Sequence, residues 1–195
     1  MKKLVLSSLF IVMSVFYVQA QVNSDVIQWG VRAGANFANV SSDQASPDSR
    51  TGFYAGILAE VPFNERFSIQ PGLYYSQQGF KVSQSGIEGT YKLDYIQIPI
   101  LFKAYIIKGL NVHIGPQLGF NINSELALDS TIGSGSIDTN GDQIKDIDFG
   151  LVGGIGYKFN NGFFIQGQYN YGITKLTEQG DANTSLFRVG VGYMF

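Results

Sequence analysis

At 195 residues the chain has the size of one domain, and its formal net charge of −2 comes without a basic run, so the electrostatic footprint of a nucleic-acid partner is missing. With no cysteine, disulfides, thiolate metal sites and an acylated lipoprotein cysteine are excluded. Charged residues are only 14% of the chain, against roughly 25% in soluble domains, so much of the surface has no need of water.

The N-terminus has the pattern of a secretory leader. Lys2 and Lys3 precede an apolar, uncharged run over 4–18, and Val18-Gln19-Ala20 resembles a small-residue cleavage site. The run is shorter than the roughly 20 residues a spanning helix needs. Cleavage is expected after Ala20, which makes 1–20 a signal peptide and 21–195 the folded domain. Past the leader no run of about 18 apolar residues occurs, so helical spanning is excluded there.

Period-2 alternation then recurs along the chain. In the first predicted strand Ile27, Trp29, Val31, Ala33, Ala35 and Phe37 share one parity, opposite Gln28, Gly30, Arg32, Gly34 and Asn36. Further strands are predicted at 52–61, 67–77, 90–104, 110–122, 147–159, 163–174 and 185–195. The fourth is irregular. Leu93 and Tyr95 hold one phase while Ile96, Ile98, Ile100 and Phe102 hold the other, so an inserted residue near Tyr95–Ile96 is expected. Pro99 in the fourth strand and Pro116 in the fifth count against uninterrupted pairing, and each is expected to break it locally. Gly153-Gly154-Ile155-Gly156 lies inside a strand with no helix after it, so it is packing, not a phosphate loop. In the last strand Phe187, Val189, Val191, Tyr193 and Phe195 oppose Arg188, Gly190, Gly192 and Met194. Such an aromatic ending resembles the sorting signal read by the bacterial barrel-insertion machinery.

Long polar connections (39–50, 79–89, 123–146, 175–184) alternate strictly with short ones (62–66, 105–109, 160–162). Outer-membrane barrels have this asymmetry, with short periplasmic turns and longer outer loops, which predicts periplasmic termini. Apolar-phase aromatics gather at both ends. Phe37, Phe53, Tyr75, Tyr95 (or Tyr91), Phe120, Phe149, Tyr171 and Phe187 lie near the long connections. Trp29, Phe67, Tyr157, Phe159, Phe163, Tyr193 and Phe195 lie near the short ones. Two such girdles are what two membrane–water interfaces select. The expected fold is all-β, an eight-stranded antiparallel up-and-down transmembrane barrel. A closed barrel is the arrangement of strands that satisfies its backbone in lipid.

The segments WGVRAGANFA (29–38), YIQIPILFKAY (95–105) and DFGLVGGIGYKF (148–159), with the terminal VGVGYMF, resemble the PorT-like outer-membrane β-barrel domain family of Gram-negative bacteria. The resemblance spans nearly the whole chain after the leader. It implies an outer-membrane barrel, and some relatives serve a protein-secretion apparatus. It carries no catalytic motif.

The inward parity collects Arg32, Glu60, Lys103, His113, Asp148, Lys158 and Arg188. An eight-stranded interior is just wide enough for its own side chains, so these read as a packed polar network in which acids and bases offset each other's burial. A narrow ion path is the alternative use of that lumen. A lipocalin-like soluble carrier would want apolar residues where Arg32, Asn36, Gln117 and Arg188 stand. His113 falls at the short-turn end without a nearby nucleophile, so no catalytic residue and no cofactor are assigned. The sharpest metal candidate is Asp138, Asn140, Asp142 and Asp146, a D-x-N-x-D run resembling a calcium loop. Gln143 replaces the usual Gly, and Phe149 stands where such loops carry Glu, so a weak Ca²⁺ site is the most it supports. The expected role is non-enzymatic: structural support, surface contact, or accessory service to an envelope complex. The expected partners are outer-membrane lipid, the insertion machinery through the last strand, and an envelope protein through the long loops.

Overall fold

The computed structural model describes residues 27–41, 48–84, 87–130, 133–138, 147–175 and 183–195. The leader expected at 1–20 lies outside them. Nine strands follow in order: β1 (Gln28–Ser41), β2 (Asp48–Pro62), β3 (Phe67–Gln84), β4 (Ile87–Tyr105), β5 (Leu110–Ser130), β6 (Gly133–Asp138), β7 (Ile147–Lys158), β8 (Phe163–Lys175) and β9 (Asn183–Met194). Eight of them close a ring, β1–β2–β3–β4–β5–β7–β8–β9, and every neighbouring pair is antiparallel. The closing pair runs from Gly30↔Met194 to Ser41↔Asn183, and the Phe195 amide donates to the Trp29 carbonyl at 2.8 Å. Closure leaves the ring no sheet edge to expose to hydrocarbon.

Alternation sorts the side chains as the sequence predicts. Trp29, Val31, Phe53, Ile57, Leu151, Ile165, Val189 and Val191 are exposed on the outer wall, while Arg32, Asn36, Gln70, Gln97, Gln117, Gln168 and Arg188 are buried inside. The lumen is not wholly polar, however. Tyr54, Leu58, Tyr74, Phe164 and Met194 pack into an apolar cluster within it.

The irregularity of the fourth strand has a different origin from the expected insertion. On β4, Leu93, Tyr95, Gln97, Leu101 and Lys103 are all buried on one phase, so no residue is inserted there. The slip lies on β5. Asp94 pairs with Asn123 and Tyr95 with Asn121, which leaves Ile122 unmatched and outward. Beyond it the buried parity of β5 changes from odd (His113, Gln117) to even (Ser124). Leu93 and Tyr95 are apolar because they fill the lumen, and Tyr95 therefore leaves the outer girdle.

Two long connections are also shorter than expected. β3 and β4 continue to Gln84 and from Ile87, and β5 runs to Ser130 before pairing back with β6 from Glu125↔Asp138 to Ser130↔Gly133. The phase change at Ile122 hid this extension, because a fixed parity read across a bulge stops making sense. The short turns stand as expected. Gly109 (φ 86°) and Gly162 (φ 89°) take left-handed conformations in two of them, where a side chain would be strained.

The prolines interrupt the ladder locally. Between Pro71↔Ile100 and Tyr74↔Gln97 the β3–β4 register has no pair, and between Pro99↔Gln117 and Phe102↔Ile114 the β4–β5 register has none. Proline has no amide hydrogen to contribute, so Pro71, Pro99 and Pro116 thin the hydrogen bonding of three adjacent strands at one height.

Candidate functional site

Inside the barrel, the strands set their inward residues at staggered heights, and separate polar groupings result. At the short-turn end stands Glu60, 3% exposed on β2. Its Oε1 accepts from Ser68 Oγ at 3.0 Å and Tyr105 Oη at 2.5 Å, and its Oε2 from Lys103 Nζ at 3.0 Å. Lys158 Nζ lies 3.6 Å from the same carboxylate and also donates to Gln28 Oε1. The register explains the meeting: Gln28 stands opposite Glu60 across β1–β2, and Ser68 opposite Lys103 across β3–β4. The sequence placed Glu60, Lys103 and Lys158 inside, and the structure makes them one cluster. It floors a vestibule of about 380 Å³ whose walls include Arg66, Tyr105 and Lys108.

Higher up, the two arginines lie against tyrosine rings. Arg32 Nη1 donates to Gln166 Oε1, and its guanidinium carbon sits 4.4 Å from the Tyr74 ring centre and 5.3 Å from that of Tyr54. Arg188 donates to Gln117 Oε1 at 3.2 Å and to Gln97 Oε1, and its guanidinium carbon is 5.4 Å from the Tyr54 ring centre. Gly34 and Gly190 make room for that ring. A Cβ on Gly190 would meet the Tyr54 hydroxyl at 2.1 Å. Among the described residues neither arginine pairs with a carboxylate. The acids stand at other heights: Glu60 is occupied by two lysines, and Asp148 accepts the Thr174 hydroxyl near the far rim.

His113 is held on both nitrogens by amides, Gln168 Nε2 at 3.0 Å on Nε2 and Asn111 Oδ1 at 3.3 Å on Nδ1. These partners suit a neutral ring carrying its proton on Nδ1. At the far end Asn36 Nδ2 reaches Ser76 Oγ at 2.9 Å and the Gln77 carbonyl at 2.8 Å. Of the calcium-loop candidates, Asp138 ends β6, while Asn140, Asp142 and Asp146 lie outside the described residues. Among the described residues no group of His, Cys, Asp or Glu is placed to hold a metal.

Sequence reasoning missed Ser68, Tyr105, Asn111 and Thr174 as partners, and Leu58, Phe164 and Met194 as an internal plug. Parity signals the face of each; nothing in one strand's sequence signals which residue across the lumen it meets.

A closed ring with an apolar outer wall and a plugged polar lumen defines an integral outer-membrane type of β-barrel. The chain belongs to the outer membrane protein beta-barrel domain family, which matches residues 19–178. No curated protein matches it in sequence. Among solved structures, Neisserial surface protein A is similar over 86% of this chain and 97% of its own, at 18% identity and a TM-score of 0.58. Ail, the attachment invasion locus protein of Yersinia pestis, is similar over 86% of this chain and 98% of its own, at 21% identity and a TM-score of 0.50. The structure of Ail in a phospholipid bilayer nanodisc gives 17% identity and 0.52, over 86% and 99%. At these identities the likeness is one of fold. Family and fold together make this an outer-membrane barrel protein.

Proposed function

We propose that the protein is a non-enzymatic barrel that offers a contact surface at its long-connection rim and serves an envelope complex as an accessory, as the PorT-like resemblance implies. In this reading residues 1–20 are removed, both ends of the mature chain face the periplasm, and the extended rim faces outward. The observation that carries it is the lopsided wall. β3, β4 and β5 are 18, 19 and 21 residues long against 12, 13 and 12 for β7, β8 and β9, and β6 adds a further strand to the tall side. Strands of about 9–11 residues suffice to span a membrane, so the excess stands beyond the bilayer. Binding concentrates on the connections that such a scaffold carries. The test is photo-crosslinking in native envelopes from Ser134, on β6, and from Asn161, in a short turn. A discrete adduct from Ser134 alone is expected; adducts from Asn161 alone would reverse the assignment. The rival reading, a small-solute channel, requires a lumen free of the Tyr54–Leu58–Tyr74–Phe164–Met194 plug. Planar-bilayer conductance near zero is expected, and a steady conductance would replace our reading with the rival one.

A further inference from the structure

The cluster at the short-turn end carries more positive charge than its one carboxylate answers. Glu60 accepts three hydrogen bonds, from Ser68, Tyr105 and Lys103. Lys158 Nζ stands 3.6 Å from that carboxylate, beyond a hydrogen bond, and donates instead to the neutral amide of Gln28. An ammonium has three donors, and the Lys158 side chain lines the vestibule and is 22% exposed, so it has donors left to offer there. Arg66 and Lys108 line the same vestibule from the β2–β3 and β4–β5 turns, and neither is ion-paired among the described residues. Counting Lys103 behind the floor, four cations stand against two carboxylates, Glu60 and Glu65. Ile106 and Ile107 add an apolar wall. The volume of about 380 Å³ falls in the range of small-molecule sites and far exceeds what one inorganic ion fills. Leu58, the next inward residue on β2 after Glu60, belongs to the apolar plug, so a solute entering here stops. Glu60 and Ser68 face the lumen, so the vestibule opens along the barrel axis and the closed wall keeps bilayer lipid out of it.

We propose that this vestibule binds a small organic monocarboxylate, with its carboxylate on Lys158, Arg66 and Lys108 adding attraction, and its apolar body against Ile106 and Ile107. One carboxylate matches the one ammonium that Glu60 leaves without a hydrogen bond, and the aliphatic wall rewards an organic body over a bare anion. The site lies at the opposite end from the contact rim proposed above and does not depend on it.

The test titrates the refolded barrel in zwitterionic detergent with N-acetyl-leucine, with its neutral analogue N-acetyl-leucinamide, and with inorganic phosphate, at constant ionic strength. The readout is the NMR shift of the Gly109 amide, at the edge of the vestibule. N-acetyl-leucine should give saturable shifts, and the amide and phosphate should each bind about tenfold more weakly or worse. Lys158→Gln should weaken N-acetyl-leucine by about tenfold or more, and Lys92→Gln, at the opposite rim, should leave its affinity unchanged. No saturation by N-acetyl-leucine, equal affinity for the amide or for phosphate, or an unchanged affinity in Lys158→Gln overturns the proposal. If Lys158→Gln does not fold, Lys108→Gln, in an exposed turn, takes its place. A loss of about threefold is then expected, and an unchanged affinity sinks the site.

Discussion

Two of the lysine–glutamate pairs among the described residues stand at opposite ends of this barrel. Lys103–Glu60 is sealed inside at 3.0 Å, with side-chain exposures of 3% and 4%, and two hydroxyls complete its hydrogen bonding. Lys92–Glu125 bridges β4 and β5 at the far rim at 3.5 Å, with exposures of 40% and 35%. The chemistry is the same, but the inner pair cannot lose a member without leaving a buried charge, whereas water takes over at the rim. Solvent access therefore decides what each pair contributes.

That contrast can be pressed experimentally. Glu60→Ala strands Lys103 in the lumen and should destabilise the folded barrel by about 3–5 kcal/mol in urea titrations in lipid vesicles. A loss smaller than that of Glu125→Ala at the rim would break the comparison. Moving a cation to the wall sharpens it: Leu151→Lys, at a lipid-facing position mid-strand, should cost about 2–4 kcal/mol in the same titration. Thr174→Val removes the hydroxyl that Asp148 accepts and should cost about 1.5–3 kcal/mol, a charged hydrogen bond half-way between the two extremes. Glu125→Ala should cost less than about 1 kcal/mol, and raised salt should shrink even that.

Much of the architecture was legible because a strand's parity is local. The sequence of β9 alone assigns Arg188 inward and Val189 outward, and both stand so. What failed was anything depending on a neighbour. Leu93 and Tyr95 stand out of phase only if apolar character means facing lipid, whereas the lumen also takes apolar side chains, Leu58 and Phe164 among them. The apolar pattern shifts on β4, while the unmatched residue, Ile122, lies on its partner β5. Arg32, Glu60, Lys103 and Arg188 are buried on the inward parity, yet their partners follow from the stagger between strands, which sets Glu60 among two lysines and leaves both arginines to amides and rings. No single strand's residues encode that stagger.

The three prolines at one height give the barrel a direction of compliance. Where Pro71, Pro99 and Pro116 interrupt adjacent ladders, the cylinder has fewer crossties than where β1 meets β9. Lateral pressure from the bilayer would be met unevenly around the circumference, and within the spanning part of the ring the amides of the proline side are expected to trade hydrogen for deuterium ahead of those of the β1–β9 seam.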